Sequence, residues 1–285
     1  MSLLSLPYYL VLLVLVLFPI LFIAGNSVLE TNPHSGMYYF TFDHYTRIFT
    51  EKNHLVINSL IRSLYFALIA TFICVIVGYP FAYFLTKLKA KTRALCILLI
   101  SAPMWINMNL RIIGWKPLFE FPNGYLTSFF RDLGFGDINF LSNGVALIVG
   151  LVYIYMPFMI IPIYTSIIKI DKSHLEASSD LGGSPYDTFM NVTLPLSLPG
   201  VLSGITMVFL PTATAILVPS YLYIPGEHSG QLIGQIIEFR FIQNGSYGFG
   251  SAISLALALI ITLMVITTKK IDKYTTLQEK EGVGR

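Results

Sequence analysis

Few residues in this chain of 285 are of types that do chemistry, and most of those stand alone. The five histidines (His34, His44, His54, His174 and His228) are scattered and build no H-E-x-x-H or similar constellation. Cys74 and Cys96 both sit in apolar runs, where a thiol packs as a small hydrophobe, and neither has metal-ligand spacing around it. No G-x-x-x-x-G-K-S/T loop is present to cradle ATP phosphates, so any ATP that drives this chain must be bound by a separate subunit. No Asp or Glu stands in the middle of an apolar run, where a proton-coupled pump usually carries one. These residues give no catalytic set, no metal site and no cofactor.

One polar stretch is different. Glu176-Ala177-Ser178-Ser179-Asp180-Leu181-Gly182, running on to Val192-Thr193-Leu194-Pro195, carries dense helix punctuation between two apolar runs. Ser173, three residues before Glu176, predicts a capping box that opens a helix. Gly182-Gly183 predicts its end, since glycine accepts the left-handed conformation at that point. Ser184 then predicts a second cap, with Pro185 in the first turn and Asp187 three residues on. Pro195 and Pro199 are expected to end that second helix. Leu175, Ala177, Ser178 and Leu181 are helix neighbours and form the expected contact face, with Glu176 and Asp180 one turn apart beside it. The chemistry offered is docking by a helix–glycine corner–helix.

The elements that hold this corner are membrane spans. The chain is 55% hydrophobic and only 12% charged, with a mean hydropathy of +0.70. A soluble chain carries about 25% charged residues. The net charge of +3 is no nucleic-acid signal, because the bases cluster in loops beside apolar runs. Spanning segments need about 20 mostly apolar residues, and six are expected, at about 7–29, 63–86, 94–111, 142–168, 196–219 and 246–268. The first is too long and lacks the basic start of a signal peptide, so it reads as a retained anchor, kinked at Pro19. Pro157 and Pro162 are expected to break the fourth. The segment 112–137 is rich in aromatic residues and glycine, with room for a short interfacial helix. The expectation is an all-α integral membrane protein forming one transmembrane domain over 1–285, with the corner at 169–195.

Short loops rich in Lys and Arg stay in the cytoplasm. Placing both termini inside puts Lys87, Lys89, Lys91, Arg93, Lys169, Lys172, Lys269, Lys270, Lys273, Lys280 and Arg285 there. Arg47, Lys52, Arg62, Arg111, Lys116, Arg131 and Arg240 then lie outside. The same topology puts the Glu176 corner in the cytoplasm.

The corner resembles the signature of the membrane subunits of binding-protein-dependent ABC importers: Glu-Ala-Ala, three residues, Gly, nine residues, Ile-x-Leu-Pro. Here every spacing is kept, with Ser178 for Ala and Val192 for Ile. The resemblance implies a type I importer permease fold and a coupling helix that docks on an ATPase. The alternative is an ordinary capped interfacial helix. Phe42-Asp43-His44-Tyr45-Thr46-Arg47, Gly78-Tyr79-Pro80-Phe81-Ala82, Pro103-x-Trp105-x-Asn107-x-x-x-Arg111, the stretch from Leu151 to Met159, and Gly248-x-Gly250-Ser251-Ala252 are similar to the B-type permeases of spermidine/putrescine importers. That implies a second permease subunit, an ATP-binding subunit dimer, an extracytoplasmic substrate-binding protein and a bacterial cytoplasmic-membrane location, with no nucleic acid. The segment from Ser220 to Glu227 departs from the Gly-rich or acidic stretch expected there.

A polyamine path should offer aromatic faces and a few acceptors. Trp105, Asn107, Trp115, Tyr153, Tyr155 and the carboxylate of Glu238 are the candidates, with interfacial packing the alternative for each. Arg111 is awkward beside a cation and calls for a carboxylate or phosphate partner. The same importer with a sulfate-like anion or an iron chelate as solute, and a non-transporting membrane scaffold, remain the competing readings.

Overall fold

The computed structural model describes residues 10–31, 37–51, 54–224, 230–243 and 245–282, with side chains described to residue 267 apart from that of residue 243. Among the described residues the chain is nearly all helix, with one two-stranded hairpin. Five helices are long and apolar enough to cross a membrane, and a sixth crossing results if one sharply bent pair counts as a single span.

The helices in order are α1 (Leu10–Ser27), α2 (Asp43–Thr50), α3 (Leu55–Lys87), α4 (Ala90–Ser101) with a 3-10 turn over Ala102–Trp105, α5 (Met108–Phe119) and α6 (Tyr125–Asp132). They continue as α7 (Val145–Ile168), α8 (Lys172–Asp180), α9 (Pro185–Ala213), α10 (Leu217–Leu222), α11 (Ile233–Glu238) and α12 (Tyr247–Gly282). The hairpin pairs β1 (Leu29–Thr31) with β2 (Tyr38–Phe40), antiparallel, Glu30 opposite Tyr39.

Several expected boundaries move, each for a backbone reason. The fourth span is not broken: α7 runs unbroken through Pro157 and Pro162. In hydrocarbon an interrupted helix would orphan several backbone groups, whereas a proline removes only one hydrogen bond. Pro195 and Pro199 do not end the second corner helix either. Its backbone stays helical from Pro185 to Ala213, so the fifth span begins well before residue 196 and ends before 219. A wider π-turn at Phe189–Thr193 stands just before Pro195. Another, at Leu13–Leu17, stands just before Pro19, so α1 adjusts there within a continuous helix. In both cases the ladder loosens at carbonyls that a proline cannot serve. The second span starts earlier than expected, at Leu55, and carries Arg62. The third is split, with α4 and its 3-10 turn meeting α5 at 94°. The segment 112–137 holds the rest of α5 and a short helix, α6. Residues 7–9 of the first expected span and 225–227 of the departing segment lie outside the described residues.

The chain forms two compact units. The first takes residues up to Arg62 together with Gly230–Met264. Its core is Ile48, Val56, Ile233, Ile236, Phe249, Ala252, Ile253 and Leu257. An ion pair between Arg240 and Glu51 ties the end of α2 to the turn after α11. Arg47 and Arg240 both lie against the buried Phe249 ring, 4.9 and 5.1 Å from its centroid.

The second unit takes Ser63–Ser229 and the chain after Met264. Its centre is the crossing of α7 and α9, lined by Leu147, Leu151, Met159, Ile163 and Val208, which are almost fully buried. The crossing is close because Gly200 faces Ser166. A Cβ on Gly200 would stand 2.4 Å from the Ser166 Cβ and 2.8 Å from the Pro162 carbonyl oxygen. Small residues that let backbones approach are the usual glue between membrane helices. A buried hydrogen bond of 2.7 Å joins the Tyr79 and Ser197 hydroxyls and fixes α3 to α9.

Candidate functional site

The corner is built from caps. Asp171, rather than Ser173, opens α8: its carboxylate accepts the Ser173 amide at 3.0 Å. The expected box between Ser173 and Glu176 is therefore absent. With the helix starting at Lys172, Glu176 sits past the first turn and cannot reach back. That leaves its carboxylate exposed and available. The backbone amide and then the hydroxyl of Ser173 hold the Asp171 carboxyl below the usual aspartate range.

The far end of α8 closes as a Schellman turn, with Gly182 at φ 80°. The Gly182 amide donates to Ser179 O at 2.9 Å and the Gly183 amide to Ser178 O at 2.9 Å. Ser184 and Asp187 then form the capping box that opens α9. The Ser184 hydroxyl and amide hold the Asp187 carboxyl low as well. The two helices are pinned by a 2.9 Å hydrogen bond between the Ser178 and Thr188 hydroxyls.

This geometry redistributes the expected contact face. Ser178 turns towards the second helix and is half-buried, as is Leu175. Ala177 and Asp180 face solvent, and Leu181 is 90% exposed at the tip. Beyond the corner Tyr186 and Met190 are exposed, one turn apart on α9. Sequence reasoning missed these two. Their four-residue spacing was visible, but only the cap at Ser184 fixes which way they point. The corner thus exposes four apolar groups, Ala177, Leu181, Tyr186 and Met190, together with the Glu176 and Asp180 carboxylates.

The expected path residues separate into groups. Trp105 is 77% exposed at the bend between α4 and α5. Asn107 uses its side-chain oxygen to cap α5, accepting the Asn109 amide at 2.9 Å. Trp115 lies on Tyr153 of α7, ring centroids 5.1 Å apart, and stacks on Phe119. Tyr155 is buried. Glu238 is half-buried at the end of α11, in the first unit, apart from the unit that holds the other five. Arg111, one turn before Trp115 on α5, has its Nε and Nη1 groups buried without a hydrogen-bond partner, as has the Asn109 Oδ1.

On the basic side, α3 ends at Lys87, whose ammonium lies 5.0 Å from the Tyr83 ring centroid. Lys87, Lys89 and Lys91 are exposed, and Arg93 is half-buried.

The sequence profile of binding-protein-dependent transport system inner membrane components matches residues 2–275. The chain belongs to that family. It is therefore a multi-pass inner-membrane permease subunit of a binding-protein-dependent ABC importer, and not an enzyme. The spermidine/putrescine transport system permease protein PotB of Escherichia coli K12 is 40% identical over 258 residues, 90% of this chain and 91% of its own. The PotB protein of Haemophilus influenzae is 36% identical over 262 residues, 90% of this chain and 89% of its own. A bacterial alginate ABC transporter, solved with a pentasaccharide-bound periplasmic protein, has a chain that superposes with a TM-score of 0.77. The superposition covers 95% of this chain and 93% of that one. At 16% identity it shows a shared fold, that of ABC importer permeases.

Proposed function

We propose that this permease carries polyamines, spermidine and putrescine, into the cell, and that its corner is the contact through which a separate ATPase drives it. The observation that carries the coupling half is the corner's construction. Two N-terminal caps, at Asp171 and Ser184, and a left-handed glycine hold exposed apolar groups in one shape, with acidic groups exposed beside them. A lever needs both stiffness and a face to be pushed, and this segment has both.

The substrate half is supported by the identity to the PotB proteins along nine-tenths of the chain. The working assembly is then this subunit, a second permease subunit, an ATP-binding subunit dimer, an extracytoplasmic substrate-binding protein and the surrounding membrane lipid. Both units act in it as one permease domain over 1–285. We place both termini and the loop with Lys87, Lys89, Lys91 and Arg93 in the cytoplasm, on the excess of bases in the short loops of that side. Leu175, Glu176, Ala177, Ser178, Asp180, Leu181 and Gly182 form or shape the docking surface. Trp105, Asn107, Trp115, Tyr153, Tyr155 and Glu238 line the solute's route.

The test is uptake of labelled spermidine and putrescine by cells lacking this chain, with and without it restored. Recovery that disappears with Glu176→Lys, while the protein stays in the membrane, supports the proposal. A restored complex that copurifies an ATPase yet takes up no polyamine overturns the substrate.

A further inference from the structure

Two guanidinium groups of the first unit lie against the Phe249 ring, and only one of them is neutralised. Arg240 is paired with Glu51, whereas Arg47 makes no ion pair among the described residues. Arg47 is also exposed, so a ligand reaches it without opening the chain. It stands in the wall of a cavity of about 460 Å³ inside that unit. Another wall is the start of α12, from Ser246 to Phe249. The opening amides of a helix have no partner within it and carry the positive end of its dipole, which favours an anion. That start is held close to α2: a Cβ on Gly248 would stand 2.3 Å from the His44 Nε2. His44 is 4% exposed in the same wall, and its Nδ1 has no hydrogen-bond partner, so the chain does not satisfy its own polar groups there. Among the described lining residues the one carboxylate is that of Glu30, and it accepts the Tyr39 hydroxyl at 2.9 Å. Tyr39 lies across the hairpin from Glu30, on the strand face opposite to that of Thr31 and Tyr38, which belong to the lining. The cavity is set for negative charge.

Its level in the membrane follows from its walls. Phe22 and Asn26 come from the last two turns of the span α1, and Tyr247 is the first residue of the span α12. A cavity where one span ends and another begins lies at the boundary between hydrocarbon and water. Its aromatic walls agree, since Phe22, Tyr38 and Tyr247 are all more than half exposed and Tyr is enriched at the headgroup level. The anion present at that level in every bilayer is the lipid phosphate. We propose that this cavity holds a phospholipid headgroup, with its phosphate on the Arg47 guanidinium and the opening amides of α12. The planar guanidinium reads a phosphate through two parallel hydrogen bonds, and Phe22 continues the cavity towards the acyl chains. The lipid then clasps the start of the last span to α2 and the end of the first.

The experiment uses the full chain, purified with whatever subunits accompany it, in phosphatidylethanolamine vesicles doped with phosphatidylglycerol that carries a photoreactive headgroup. Crosslinked residues are mapped by mass spectrometry, a readout independent of any solute. The expected result for wild type is labelling concentrated at the end of α1, at Tyr38 and at Tyr247. Arg47→Gln should weaken it at least about tenfold, while Arg131→Gln, at an exposed arginine of the other unit, should leave it unchanged. The wild-type pattern tests the site even if Arg47→Gln folds poorly. Labelling spread evenly along the spans in wild type overturns the proposal. So does labelling that Arg47→Gln leaves unchanged. Displacement of the label by millimolar inorganic phosphate overturns the lipid as occupant, because it shows a site for a free anion.

Discussion

Gly182 stands at φ 80°, and nothing lies within 4 Å of the place a Cβ would take. Any penalty for a substitution there comes from the backbone and not from a clash. Holding an L-residue in the left-handed region costs about 1–2 kcal/mol, with a β-branched residue at the upper end and asparagine well below it. A cost of about 1–2 kcal/mol lowers the ratio of closed to open corner by a factor of roughly 5–30. Gly182→Val should therefore reduce ATPase copurification and polyamine uptake, by up to that factor, at unchanged membrane abundance. Gly182→Asn should keep most of both. The assay is uptake of labelled spermidine alongside immunoblots of the purified complex. Wild-type uptake in Gly182→Val would refute the reasoning outright. Equal damage from asparagine and valine would refute it differently, by showing that bulk at the surface matters and not the turn.

Asp171→Ala should fray the start of α8, while Ser173→Ala should do so far less; hydrogen exchange of the corner amides distinguishes them. Because the Asp171 and Asp187 carboxyls are held low, their capping contribution is full above the ordinary aspartate range and disappears as pH falls through the lowered values, so exchange at the corner should quicken only in strong acid. Gly200→Leu should force α7 and α9 apart, lowering the thermal stability of the purified protein by about 1–3 kcal/mol. Pairing it with Ser166→Gly should recover only part of this, since the Pro162 carbonyl stays in place.

The caps show how much of the corner could be read from the chain. Gly182, Ser184, Pro185 and Asp187 act locally, over three or four residues, and each sits where its side chain or backbone freedom predicts. The start of α8 was misread because Asp171 and Ser173 are both competent caps two residues apart. The choice between them depends on how the preceding span ends at Ile168, which no local pattern records. The prolines misled for a related reason. Pro157, Pro162 and Pro199 break helices in water, where freed carbonyls find solvent, but in a membrane the neighbouring helix bonds have no substitute. The bend at Ile106 was hidden because residues 94–111 read as one apolar run, and only Asn107, a cap in mid-run, signalled a new helix start. The path was the least legible. Trp115 on Tyr153 is a tertiary contact over nearly forty positions, and spacing alone cannot supply it.

As proposed, this subunit turns ATP hydrolysis into polyamine movement through its corner. The most direct measurement reconstitutes the whole importer in liposomes and follows ATP hydrolysis and spermidine uptake together, for wild type and for Leu181→Glu at the exposed tip of the corner. ATP-dependent spermidine uptake is expected in wild type. In Leu181→Glu, uptake and substrate-stimulated hydrolysis are expected to fall together. Uptake that proceeds unchanged with a charge buried at that tip would contradict it.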